Sequence, residues 1–195
     1  MFSKKKFLLI SKINILIIVL LLLIKILPVT LSKYQSSGTG NIDSNIAFYL
    51  LSADYLTQNI KLTDLVPSDS PYVYTFTIAN EKDDTTSEVD IEYVLSIITT
   101  TNLPLRYELY KNSDYQSADA VNLITNDNTV IEPDSDGTIF QTFTFGKEEL
   151  YYTTPTTNTY TLLVYFDKIN NDAKYQDIVE GLRINIDSKQ IIDTN

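Results

Sequence analysis

The residues of this sequence best suited to chemistry are closely spaced carboxylates. Asp134-x-Asp136-Gly137 resembles the start of a calcium-binding loop, in which such carboxylates and a glycine allow the chain to wrap a hard cation. The bidentate glutamate that closes such a loop is missing, because Gln141 and then residues 142–145 follow. We therefore favour the alternative interpretation, a glycine-containing turn that opens the next strand.

A second acidic cluster lies between two strand patterns. It comprises Glu81, Asp83, Asp84 and Glu88. We interpret the surrounding segment, residues 80–87, as the solvated loop of a hairpin, since charge at such a position discourages pairing with another chain.

Tyrosine is the most frequent aromatic residue, with 14 copies, and could form a carbohydrate-binding platform. Tyr72 and Tyr74, however, share their face of a strand with Phe76 and Ile78, which indicates core packing with the hydroxyls at the rim. Only the pair Tyr151-Tyr152, in a loop-like stretch, is expected to be exposed.

Catalytic chemistry has no candidate residues. The chain contains neither histidine nor cysteine, so the common catalytic triads and imidazole or thiolate zinc sites cannot be assembled. No glycine-rich phosphate loop occurs, and the serines and acids fall mainly in turns. We predict that the protein is not an enzyme, with no catalytic, cofactor-binding or metal-binding residues and no cofactor.

The elements that position these residues are predicted to be strands. Residues 72–78, 89–97 and 105–109 carry apolar side chains at every second position, the period of a strand with one buried face. Shorter strands are predicted at residues 46–51, 60–65, 120–124, 129–131, 139–145, 160–166 and 182–186, with a helical turn at 175–180.

Eight to ten strands with regular turn signals predict an all-β fold, an antiparallel two-sheet sandwich over residues 46–192. A jelly roll and an immunoglobulin-like sandwich both fit this pattern. The side chains expected to point inward are Phe76, Ile78, Ile91, Tyr93, Leu95, Leu105, Leu109, Phe143, Leu162, Val164 and Ile184.

Charge is distributed unevenly along the chain. Residues 1–42 contain six lysines and no acid, and the rest carries 25 acids against 9 bases, a formal charge of −16. Such a surface repels polyanions, so we expect no nucleic-acid partner. Membrane contact is expected only through residues 1–32.

The N-terminus has the layout of a secretory signal peptide. A lysine-rich start precedes the apolar run 15–24, and Pro28 follows. We predict an apolar helix within residues 1–32, cleavage between Ser32 and Gly40 by a signal peptidase, a flexible leader at 33–45 and a secreted product. An uncleaved membrane anchor with the domain outside is the alternative.

Several segments together resemble one family of small exported proteins. The segments similar to the TasA/camelysin-like proteins of Gram-positive bacteria are residues 30–34 with 37–40, 59–78, 88–110, and 174–177 with 182–190. The resemblance implies a jelly-roll or immunoglobulin-like sandwich, a role in extracellular fibres or biofilm matrix, and cleavage by a SipW-type peptidase. Camelysin is described as a metallopeptidase, an activity that does not carry over to a chain without histidine.

These features predict a structural subunit that self-associates by strand addition. A freed leader, residues 34–46, would pair with the sheet edge of a neighbouring copy, with Ile42 and Ile46 setting the register. The alternative is an exported cell-surface binding module for glycan or cations.

Overall fold

The computed structural model describes residues 46–51, 55–62 and 65–192. The expected apolar helix and signal peptide or anchor at residues 1–32, and the expected leader at 33–45, lie outside the described residues. Within the described ranges the only helical segments are three-residue 3-10 turns, and no helix is long and apolar enough to cross a membrane.

Eleven β-strands make up the fold of the described residues, which confirms the all-β prediction. They are β1 (Ile46–Tyr49), β2 (Tyr55–Leu62), β3 (Tyr72–Ala79), β4 (Glu81–Lys82), β5 (Thr85–Thr86), β6 (Ile91–Thr100), β7 (Arg106–Lys111), β8 (Thr129–Pro133), β9 (Ile139–Leu150), β10 (Thr157–Tyr165) and β11 (Glu180–Gln190).

The first sheet, sheet A, contains four strands in the order β1-β3-β10-β7. Strands β3, β10 and β7 pair antiparallel, but β1 runs parallel to β3, with Ile46 opposite Phe76. The expectation of a purely antiparallel sandwich is therefore wrong at this edge. Parallel pairing arises because β2 crosses to the other sheet before the chain returns as β3.

The second sheet, sheet B, contains five strands in the order β2-β11-β6-β9-β8, all antiparallel. The register between β6 and β9 shifts between Val94 and Ser96, which marks a β-bulge near Gly146. Strands β4 and β5 form a separate two-stranded hairpin.

The two sheets pack face to face around one apolar core, in a β-sandwich-like arrangement. Tyr107 of β7 contacts Phe143 of β9 with ring centroids 5.6 Å apart, and Phe76 of β3 stacks on Tyr160 of β10. Side chains alternate between buried and half-buried along the whole of β6, as the period-two pattern predicts.

The predicted inward-facing set is confirmed for ten of its eleven members, which are buried. Leu105 is half-buried and packs against the edge of the core, because it precedes β7 in the β6–β7 connection.

Three predicted elements differ from the structure. Residues 120–124 are not a strand, and the helical turn expected at 175–180 lies earlier, as a 3-10 turn at Ala173–Tyr175. Strand β2 begins at Tyr55, ahead of the expected start at Ile60, because Tyr55 to Asn59 also pair with β11. The polar side chains of residues 57–59 hide this part of the strand from the apolar pattern.

Candidate functional site

The predicted cation loop is the turn between β8 and β9. Oδ1 of Asp134 accepts hydrogen bonds from the backbone N–H groups of Asp136 (3.0 Å) and Thr138 (3.2 Å). Oδ1 of Asp136 accepts from the same Thr138 N–H at 2.9 Å. Gly137 has a φ of +88°, the left-handed region that glycine adopts without strain.

These contacts favour a turn over a cation site. Hydrogen bonds from Asp134 and Thr138 lower the pKa of Asp136 to about 2, so this carboxylate serves as an acceptor inside the turn. Among the described residues, no group of three or more acidic, histidine or cysteine side chains could hold a metal ion.

The acidic cluster of residues 81–88 forms a tight hairpin, as predicted. Lys82 pairs with Thr85, and the two residues between them, Asp83 and Asp84, have φ values of 50° and 62°. Positive φ at both central positions is typical of a type I′ turn. The tip is exposed, so its carboxylates are solvated.

Strand β8, at one edge of sheet B, is the most exposed apolar strand of the described residues. In β8, Val130 is 51% exposed and Ile131 is 61% exposed. Ile131 points to the same side of the sheet as Phe143, since Thr129 lies opposite Phe143 and strand side chains alternate. Because β7 already packs opposite β9, β8 has no strand of sheet A facing it.

The neighbouring edge of sheet A is covered instead. The Leu109 N–H in β7 donates to Oδ1 of Asn122 at 2.9 Å, and the Leu123 N–H donates to the Leu109 carbonyl at 2.8 Å. The segment 120–124, wrongly predicted as a strand, therefore caps β7 with one side chain and one backbone group. Of these two adjacent edges, β8 is the one left open.

The exposed tyrosines of the described residues gather at one end of the sandwich. They are Tyr49, Tyr55, Tyr151 and Tyr152. Strands β1, β3, β9 and β11 end there, and β2, β6 and β10 begin there. We call it the tyrosine end. The prediction that Tyr151 and Tyr152 are exposed is confirmed, at 50% and 51%.

Asn80, which is fully buried, holds the turn that presents these two tyrosines. Its Nδ2 donates to the carbonyls of Tyr151 (2.9 Å) and Thr154 (3.3 Å), and its Oδ1 accepts from the Thr156 N–H at 2.7 Å. The Tyr152 N–H also donates to Oδ1 of Asp90 at 2.8 Å. The turn backbone is therefore fixed, and its two rings project from a rigid base.

A buried carboxylate at the opposite end was missed by sequence reasoning. Glu180, fully buried at the start of β11, accepts hydrogen bonds from the Leu103 N–H (2.9 Å) and the hydroxyls of Thr99 (3.1 Å) and Thr100 (2.5 Å). Burial raises its pKa, and the hydrogen bonds oppose that rise. Its burial could have been predicted from the sequence, because Glu180 lies two residues before the inward-facing Leu182 and therefore on the same face of the strand.

A chain of polar side chains crosses the core between the sheets. The Asn158 Nδ2 donates to the Tyr93 hydroxyl at 2.8 Å, and that hydroxyl is hydrogen-bonded to Tyr160. Asn112 donates through Nδ2 to Oδ1 of Asn158 at 2.9 Å. Every member has a partner, so this chain stabilises the fold without offering a reactive group.

Comparison with known proteins identifies no family for this chain. No protein-family model and no curated protein matches it. Among solved structures, it is similar to the pre-peptidase C-terminal domain of collagenase from Bacillus anthracis, with 15% identity over 75% of this chain and 99% of that chain. The TM-score is 0.29, a level of similarity that carries no information about function.

Proposed function

We propose that this protein is an exported structural protein, a subunit of extracellular fibres or biofilm matrix, of the TasA/camelysin-like kind. The observation that carries the proposal is the open edge strand β8, in which Val130 and Ile131 are more than half exposed. An uncovered apolar edge strand is a template for the strand of another chain, and soluble monomers normally protect such edges.

The strand order supports the jelly-roll alternative within this proposal. Sheet B contains β2-β11-β6-β9 and faces β3-β10-β7 of sheet A, so successive long strands alternate between the sheets. Within sheets A and B of the described residues, only β8 and β9 are consecutive strands that neighbour each other. This alternation supports the jelly roll, one of the two folds that the sequence resemblance implies.

Assembly is proposed to proceed by strand addition from the segment before β1. Ile46 belongs to β1 and packs beside its own Phe76, so the proposed donor segment ends at residue 45. Backbone hydrogen bonds would supply the affinity, and the contact is head-to-tail, so it need not close on itself. The formal charge of −16 opposes association, and salt should therefore promote it.

Electron microscopy of the purified chain with and without added salt tests this function. We expect filaments, and we expect both deletion of residues 33–45 and the double substitution Val130→Lys/Ile131→Lys to abolish them. Val121→Lys is the matched control, because Val121 is 70% exposed but lies outside the strands. Filaments that persist in the edge variant would rule out β8 as the acceptor, and stable wild-type monomers would rule out the fibre role.

A second candidate function is a cell-surface binding module for glycan, favoured by the tyrosine end. Four exposed tyrosine rings at one end of a rigid sandwich are the kind of amphipathic surface that recognises ligands. Glycan-array binding by the wild type, lost in Tyr151→Ala/Tyr152→Ala without loss of folding, would support this alternative. Filament formation without glycan binding would contradict it.

A further inference from the structure

Tyrosine is the most oxidisable side chain available in the described residues. The chain has no cysteine and no tryptophan, and its single methionine is Met1, outside the described ranges. It therefore has no disulfide with which to join copies covalently, and any oxidative cross-link must use phenol chemistry. Susceptibility to oxidation depends on exposure, as for other oxidisable side chains.

Exposure divides the tyrosines into two groups. Of the 13 described tyrosines, nine are buried or half-buried, and the exposed four all lie at the tyrosine end. Within those four, Tyr151 and Tyr152 are consecutive, so their two rings emerge from one turn. Copies that meet through this end bring phenol rings together.

Tyr151 also has a proton acceptor in place. Its hydroxyl donates a hydrogen bond to Oε2 of Glu149, two residues earlier in β9. Removal of an electron from a phenol makes it strongly acidic, so an adjacent carboxylate that accepts the proton favours radical formation. By contrast, the ammonium of Lys82 lies 5.1 Å from the ring centre of Tyr49, and a positive charge there disfavours removal of an electron.

We propose that Tyr151 and Tyr152 form a site of oxidative phenol coupling, which joins copies of the chain through dityrosine. A haem peroxidase with hydrogen peroxide is the class of oxidant. Each of two tyrosines loses one electron and one phenolic proton, with the proton of Tyr151 leaving through Glu149. The two radicals form a carbon–carbon bond between ortho positions, and the ring hydrogens move to the phenolic oxygens. The peroxide accepts the two electrons and two protons and becomes two molecules of water.

This site does not depend on the proposed fibre role. Two dispersed copies that collide through their tyrosine ends suffice for coupling, whereas strand addition uses β8 and the segment before β1. The coupling experiment is therefore done on dispersed protein at low salt. Its outcome does not bear on the fibre proposal, which electron microscopy tests separately.

Coupling is tested by treating the purified full chain with a haem peroxidase and hydrogen peroxide. Dityrosine fluorescence and covalent dimers on denaturing gels give the yield, and mass spectrometry of cross-linked peptides gives the positions. The variant is Tyr151→Phe/Tyr152→Phe, which keeps both rings. The matched control is Tyr115→Phe/Tyr175→Phe, at two half-buried tyrosines. Glu149→Gln tests the proton acceptor.

We expect the double variant to lose most of the dimer, to below about a fifth of the wild-type yield, and the control to retain it. Glu149→Gln should slow coupling at Tyr151 while leaving Tyr152 unchanged. In the wild type, most cross-linked peptides should contain Tyr151 or Tyr152. Undiminished dimer in the double variant, or cross-links centred on other tyrosines, would overturn the proposal. The positions of the cross-links in the wild-type protein test the proposal even if a variant folds poorly.

Discussion

The phenolic oxygens of Tyr93 and Tyr160 lie 2.8 Å apart, and their hydrogen bond joins sheet B to sheet A inside the core. Tyr93 is the central member, because its hydroxyl also accepts from Asn158. Burial raises the pKa of Tyr93 to about 12, so the hydroxyl keeps its proton through the neutral range.

This arrangement makes the two tyrosines unequal. Tyr93→Phe would remove the hydrogen-bond partner of both the Tyr160 hydroxyl and the Asn158 Nδ2. Tyr160→Phe would break only the Tyr93–Tyr160 bond and keep the bond from Asn158 to Tyr93. We expect Tyr160→Phe to cost about 1 kcal/mol and Tyr93→Phe to cost roughly 2–4 kcal/mol of the free energy of unfolding. Urea denaturation measures both. Equal losses would contradict a central role for Tyr93.

The buried Glu180 predicts a pH dependence. Burial raises its folded-state pKa above the ordinary 4.5, so the folded protein holds this proton more tightly than the unfolded chain. The resulting stability is fully present below about pH 4.5 and is lost as the pH rises through the folded-state pKa.

Glu180→Gln has no such proton to lose. Its free energy of unfolding should therefore rise relative to wild type as the pH increases above about 4.5, measured by urea denaturation at several pH values. The exposed Glu132→Gln, as control, should follow the wild-type curve. If the difference in the free energy of unfolding between Glu180→Gln and wild type stays constant with pH, the Glu180 carboxyl group does not cause the pH dependence.

Leu95 tests the core that the sequence predicted. It is 1% exposed in the middle of β6, and Leu95→Ala should lower the free energy of unfolding by roughly 2–5 kcal/mol. Val130→Ala on the open edge should change it by less than about 0.5 kcal/mol. Thermal or urea melts that rank the two variants in the opposite order would contradict the burial of this face.

Two glycines form a matched pair for backbone strain. A methyl group would meet nothing within 4 Å at either Gly137 or Gly146, but only Gly137 has a φ in the left-handed region. Gly137→Ala should therefore destabilise the fold by about 1 kcal/mol, and Gly146→Ala should be neutral or slightly stabilising. Similar melting curves for the two variants would show that the β8–β9 turn tolerates a side chain.

The strands predicted most accurately were those with one buried face. Strands β3, β6 and β10 alternate because the opposite sheet covers one side, and that burial is visible directly as a period of two. The pairing direction of β1 was not predictable in the same way, since four residues with one buried side chain carry no signal about which neighbour they meet.

The candidate functional surfaces were harder to predict from the sequence. Exposure of Tyr151 and Tyr152 was predicted from their loop-like setting, but their gathering with Tyr49 and Tyr55 depends on pairings between distant strands. The open edge of β8 likewise depends on where sheet A stops. Glu180 was overlooked because an acid is ordinarily a surface residue, although its position matches the inward phase of β11.

Pairing of β2 with β11 has a consequence for the timing of folding. Leu62 lies opposite Glu180, and Tyr55 lies opposite Asp187, so sheet B unites the first and last parts of the described chain. Contacts between residues so far apart in sequence form slowly, and here the centre of the sheet cannot be completed until the final strand has been synthesised. Because the chain emerges from the ribosome N-terminus first, sheet B stays incomplete until β11 has appeared. If the chain is exported, as we propose, that delay would favour the extended state that passage through a narrow membrane channel requires.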